Sequence, residues 1–280
     1  MSYYANSEVM VSTQWVSEHK TDDDVVVIEV DVDTKAYAKG HIAGTVDWSW
    51  NRQLCDQVQR DIIKKPDLEK LLGNSGISNE TAIIVYGDSN NWFAAWAFWQ
   101  LKLYRHKDVR IMNGGRKKWI AEGRELSTEP PKTKPATYRA PEPDFGTRAF
   151  LPHVQVSHGA DNVALVDVRS VDEFTGKILA PPGLPETCQR GGHIPGAINI
   201  PWDLACNEDG TFKEFDELKA LYKSHGVTDD KEVIAYCRIG ERSSHSWFVL
   251  KYLLGYPRVM NYDGSWTEWG NLIGAPIERP

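Results

Sequence analysis

Short, wholly apolar runs alternate along the chain with amphipathic stretches. Residues 25–30, 81–86 and 109–112 read as buried strands, and 66–73, 92–104 and 115–123 as helices. The pattern then returns, with strands over 163–167, 232–236 and 258–261 and helices over 214–225, 243–254 and 264–272. Strands apolar throughout and separated by helices predict an α/β fold, each half a mostly parallel sheet covered by helices on both faces. Sites in such sheets form beyond the carboxyl ends of the strands.

The two halves are copies. Val27-Ile28-Glu29-Val30-Asp31 resembles Leu165-Val166-Asp167-Val168-Arg169, and Gly40-His41-Ile42-Ala43-Gly44 resembles Gly192-His193-Ile194-Pro195-Gly196. From Ile84 the register holds without a gap: Gly87 falls on Cys237, Asn113-Gly114 on Asp263-Gly264 and Trp119 on Trp269. Pro130, Pro131, Pro135, Pro141 and Pro143 mark an extended linker between them. The expected domains are therefore 1–126 and 149–280, joined by a proline-rich linker over 127–148.

A chain of 280 residues with 41% hydrophobic and 25% charged positions is a globular protein. Its net charge of -7 argues against a nucleic-acid or anionic-membrane partner, so an anionic substrate needs a local basic site. The four cysteines, Cys55, Cys188, Cys206 and Cys237, show no zinc spacing. With no basic and apolar leader at the N-terminus and no membrane-length apolar run, a cytoplasmic location is expected, where thiols stay reduced.

The candidate chemistry sits at Cys237. The apolar run 233–236 stops at this cysteine, and Arg238-Ile239-Gly240-Glu241-Arg242 leads into a helix. Loop amides, a helix N-terminus and flanking cations lower a thiol pKa from about 8.5 to roughly 3.5–7.5. Gly240 is expected at positive φ, bending the loop inward. Arg242 offers a planar fork for an oxyanion, with Arg238 as second choice or as an entrance guard. Glu241 is expected to point outward or to pair with an arginine. The first copy has Gly87-Asp88-Ser89-Asn90-Asn91 at this place, without thiol or positive charge.

Together with Asp167-Val168-Arg169, Gly192-His193-Ile194-Pro195-Gly196-Ala197-Ile198 and Tyr262-Asp263-Gly264-Ser265-Trp266, this loop resembles the rhodanese family of sulfurtransferases over the whole chain. The match is to two tandem rhodanese-like domains of the thiosulfate sulfurtransferase type found in actinobacteria. The resemblance implies that Cys237 takes the outer sulfur of thiosulfate as a persulfide and yields it to cyanide or a thiol. No metal or organic cofactor is implied. It also maps a substrate contact onto Arg242. Two departures stand out. Ile239 replaces a lysine of the vertebrate thiosulfate enzymes, and Glu173 falls where they carry an arginine. Lys177 and Arg190, in the segment between Gly176 and Gly192 that reads as an entrance loop, are candidate replacements.

Other readings remain in view. A cysteine phosphatase or arsenate reductase would use a loop one residue longer than the four between Cys237 and Arg242. A 3-mercaptopyruvate sulfurtransferase would share fold and persulfide but carry an uncharged loop. A sulfur-carrier module would park the persulfide for a protein acceptor. Cys188 is a conceivable resolving thiol. His41 and His193 read as turn-stabilising, Asp167 as structural, the tryptophans as packing, and Arg116-Lys117-Lys118 as a solvated face.

Overall fold

The computed structural model describes residues 3–183 and 188–279. The chain divides into two compact units. The first holds Glu8–Asp144 together with Cys206–Phe212; the second holds the chain start up to Ser7, Phe145–Ala205 and Lys213 onward. The proline-rich segment is thus shared, the part before Phe145 grouping with the first unit. In the first unit Asp209 accepts from Lys118 at 2.8 Å, and the Phe212 N–H donates to Asn113 Oδ1 at 2.9 Å.

In the first unit, β1 (Met10–Val11), β2 (Val25–Glu29), β3 (Val46–Asp47), β4 (Ala82–Tyr86) and β5 (Val109–Met112) form a parallel sheet in the order β1-β5-β4-β2-β3. The second unit has β6 (Val163–Asp167), β7 (Ile198–Asn199), β8 (Glu232–Tyr236) and β9 (Val259–Tyr262), in the order β7-β6-β8-β9. The orders correspond strand for strand. Where the first sheet pairs Met10 with Ile111, the second keeps a single parallel bridge, Arg148 to Asn261. The two-residue strands β1, β3 and β7 are too short to show a period, and sequence reading missed them.

The longer elements lie where the pattern puts them, within a few residues. Wholly apolar Ala82–Tyr86 is buried at every position, between β2 and β5. Trp99, Trp247, Trp266 and Trp269 are core residues, while Trp92 is half-buried. The helix Glu241–Phe248 runs on as a π turn over Val249–Leu253. Among the described residues no helix is long and apolar enough to cross a membrane.

Each unit closes its sheet with the same polar clamp, built from different residues. In the second unit Arg169 forks onto Asp167 at the end of β6 and donates to the Gly192 carbonyl at 2.7 Å. In the first, Arg116 reaches back to Glu29 and the Gly40 carbonyl, so it is not the solvated residue its neighbours suggested. Lys117 is exposed, whereas Lys118 is tied to Asp209. His41 and His193 stack on Tyr37 and Phe174 at 3.7 and 3.6 Å and hydrogen-bond to those residues' carbonyls. They hold turns.

The position of Arg169 is Asp31 in the first copy. Burial first, then the charge of Glu29 and of Asp88, push its carboxyl well above the usual carboxylate range. Folding therefore favours its protonated form. Its contribution to stability is fullest below about pH 4 and is lost as pH rises through the folded pKa. Asp31→Asn is expected to raise stability by about 1–3 kcal/mol at neutral pH, the gain vanishing near pH 4. Urea midpoints at the two pH values check this, and an equal gain at both would sink it.

Candidate active site

Cys237 follows the last residue of β8, and its backbone is clamped from the turn after β9. The Cys237 N–H donates to Ser265 Oγ at 3.0 Å. The carbonyls of Cys237 and Arg238 accept from the N–H groups of Trp266 and Thr267, each at 3.0 Å. Ser265 holds φ 53 to make this turn, as Gly115 does at φ 54 in the first copy. That glycine was the signal for Ser265 that sequence reading passed over.

Gly240, at φ 95, bends the loop inward, as its residue type suggested. Its N–H comes to 3.1 Å from Cys237 Sγ. Its carbonyl accepts from the Ser244 N–H at 3.1 Å, Ser244 Oγ at 2.8 Å and Asn261 Nδ2 at 3.0 Å. The Ser243 hydroxyl donates to Asn261 Oδ1 at 2.6 Å and so fixes the start of the helix against β9. The loop is therefore pinned at both ends and presents a backbone N–H to one sulfur atom.

The charges are arranged otherwise than expected. Arg242 does not hold its fork open: Nη1 and Nη2 donate to the two Glu173 oxygens at 2.7 and 2.9 Å. Glu173 is itself set by a capping box with Ser170 at the start of the helix Val171–Phe174. Burial pushes the Glu173 carboxyl up, but the hydrogen bonds and charge of Arg242 outweigh it and leave the pKa below the ordinary value. Burial likewise opposes the charge on Arg242, and Glu173 more than restores it.

Of the two expectations for Glu241, an outward side chain or a pairing with an arginine, the second holds. Glu241 is 1% exposed, its Oε2 accepts from the Cys237 thiol at 3.3 Å, and its Oε1 lies 3.7 Å from Arg238 Nη2. Arg238 is buried too, not an exposed guard at an entrance. Cys237 has no exposed surface. Burial first, then the Glu241 charge, raise its thiol pKa; Arg242 and the Ser243 donors oppose without prevailing. Burial and the Glu241 carboxylate thus work against the expected thiolate in this conformation. Two carboxylates match two arginines around a neutral, enclosed thiol.

Lys177 and Arg190 are not brought to this cluster as anion ligands. Lys177 lies exposed and pairs with Asp172 at 3.1 Å. Arg190 donates to the carbonyls of Trp269, Gly270, Leu272 and Ala275, so its guanidinium serves to hold the chain after the helix Ser265–Trp269. Cys188 is 4% exposed within the core cluster of Trp266 and Trp269 and donates to the Arg190 carbonyl. The expected entrance loop includes residues 184–187, which lie outside the described residues. No group of three or more His, Cys, Asp or Glu among the described residues is placed to hold a metal ion.

The first copy cannot host the same chemistry. A Cβ at Gly87 would drive into the Val30 carbonyl oxygen. Asn91, in the place of Glu241, spends its amide on the Gly87 N–H and the Met112 carbonyl. Ser89, Asn90 and Asn91 all take positive φ.

A model of the rhodanese-like domain matches the chain twice, at residues 12–122 and 154–272. A protein of Saccharopolyspora erythraea, provisionally named a thiosulfate sulfurtransferase, is 54% identical over 99% of this chain and 98% of its own length. The sulfur carrier protein TtuD of Thermus thermophilus is 55% identical over 99% of this chain and 98% of its own. Among solved structures, EanB bearing a cysteine persulfide with ergothioneine superposes at TM-score 0.87 and 25% identity. That match covers 100% of this chain and 72% of EanB.

Two substitutions test the geometry. Glu173→Ala strands the Arg242 guanidinium and is expected to cost about 3–5 kcal/mol, read from denaturant midpoints. A loss under about 1 kcal/mol would mean the pair is not a buried constraint. Gly87→Ala is expected to cost about 3 kcal/mol or more through the Val30 clash, and a neutral result would show that the first loop has room for a side chain.

Proposed function

The chain belongs to the rhodanese family, and on that premise we propose that it is a thiosulfate sulfurtransferase working through a persulfide on Cys237. The observation that carries the reading is the Gly240 N–H directed at one cysteine sulfur, placed at the carboxyl end of a central parallel strand and just before the helix Glu241–Phe248. In the first half-reaction the thiol loses its proton, which its hydrogen-bond partner Glu241 Oε2 is placed to take, and the thiolate attacks the outer sulfur of thiosulfate. A new S–S bond forms to Cys237, the old one breaks, and sulfite leaves with its electron pair. In the second, cyanide or a thiolate attacks the outer persulfide sulfur, and the Cys237 thiolate is the leaving group. The same amide donor stabilises negative charge on the cysteine at the start of one step and the end of the other.

The catalytic work belongs to the second domain, the expected 149–280, and the first, 1–126, is an inert copy at Gly87. Arg242 contributes to this chemistry as a fixed positive charge oriented by Glu173, not as a free fork on the donor. A phosphatase reading needs that fork turned to a phosphate, and Glu173 occupies it. A second reading, transfer to a protein acceptor, is supported by the likeness to the sulfur carrier TtuD.

Mass spectrometry after exposure to thiosulfate is expected to show a gain of one sulfur on Cys237. Cys237→Ser is expected to abolish both the gain and turnover while leaving the circular dichroism spectrum intact. A sulfur gained elsewhere, or none, would overturn the assignment. Relative turnover with thiosulfate and with 3-mercaptopyruvate then separates the two donors.

A further inference from the structure

The sulfur site contains a carboxylate that sulfur transfer from an anion does not call for. Glu241 is the first residue of the helix Glu241–Phe248, and nothing in helix formation requires its side chain to turn inward. An acidic residue at a helix start is favourable while exposed to solvent. Here it is buried and aimed at the thiol instead.

The surrounding charges show what this does. From the cysteine's own loop and helix come Arg238, Glu241 and Arg242; from the helix Val171–Phe174 comes Glu173, already bound to Arg242. At the end of β6, Arg169 is matched by Asp167. His245, one turn along, is uncharged, its pKa driven down to about 3 by burial. Each cation in the cluster therefore has its own carboxylate. The loop leaves no net positive charge for a dianion, and the Arg238 charge is shared with Glu241.

We propose that Glu241 is a charge gate on the sulfur site, its carboxylate standing between the Cys237 sulfur and Arg238 in the place a donor's anionic end must take. Small multiply charged donors enter only when the Glu241 side chain swings out or is neutralised. A donor that arrives without that charge, such as a protein-bound persulfide, meets no such barrier. The gate also holds the resting thiol in its protonated, unreactive form until a donor is present. This inference rests on the sulfurtransferase reading and assigns Glu241 as a specificity-determining residue within it.

The test is Glu241→Gln, which keeps shape and hydrogen-bonding reach while removing the charge. The pH profile of iodoacetamide alkylation at Cys237 is expected to shift down by about one unit, and KM for thiosulfate to fall about tenfold at neutral pH. A structural role alone would lower stability without moving the alkylation profile. An unchanged profile, or a KM that rises, would overturn the gate. Should the variant not fold, the wild-type protein still decides: a Cys237 alkylation midpoint below about pH 7 would refute a gated thiol. The mass gain on wild-type Cys237 is scored separately. Its absence would remove the sulfurtransferase reading itself, whereas a gain with an unaltered Glu241→Gln profile removes only the gate.

Discussion

A guanidinium buried beside a sulfur atom must be matched, and the pair Glu173–Arg242 does this for the whole catalytic loop. Each partner is nearly without solvent exposure, so neither charge survives there alone. The pair joins the short helix after β6 to the helix after the cysteine loop, through two hydrogen bonds with no slack. Because the capping box at Ser170 holds Glu173 in turn, the orientation of Arg242 is set from outside its own loop. The positive charge felt by the sulfur is consequently fixed in place, while the opposing charge of Glu241, in the first turn of its helix, carries no comparable brace. The Cys237 sulfur thus lies between a braced positive charge and an unbraced carboxylate.

Duplication makes the physical basis of this specialisation visible. Both units use the same parallel core, the same acid–arginine–carbonyl clamp and the same histidine-held turn. They diverge where the loop follows the central strand. In the second unit the backbone leaves room for a side chain at Cys237 and turns the Gly240 N–H toward it. In the first, the loop lies against the Val30 carbonyl so closely that only glycine fits. Asp31 replaces Arg169 there, so that loop neighbours carboxylates instead of a matched arginine. Loss of the thiol, loss of space and loss of positive charge go together in one copy.

Strands apolar at every position declared a parallel sheet, and the gap-free register from Ile84 to Trp119 declared the repeat. Both are local or self-comparing signals, so they need no three-dimensional knowledge. Cys237 and Gly240 were legible for a related reason: a thiol and a glycine just past a buried strand leave few alternatives for the turn that follows. The roles of Glu173 and Arg190, and the approach of Glu241 to the thiol, were not legible. Each is a charged side chain whose meaning depends on partners contributed by other elements. Arg190 reads as an anion ligand until its donors are seen to be consumed by four carbonyls.

The amino-acid order alone thus determined the α/β repeat, the cysteine that ends its central strand and the bend that follows it, because periodicity and backbone preference act over a few residues. Only the tertiary structure decided the charge state around that cysteine. Ionisation in a buried site follows from distances of a few ångströms between groups far apart in the chain, and no linear pattern encodes which carboxylate will face which arginine.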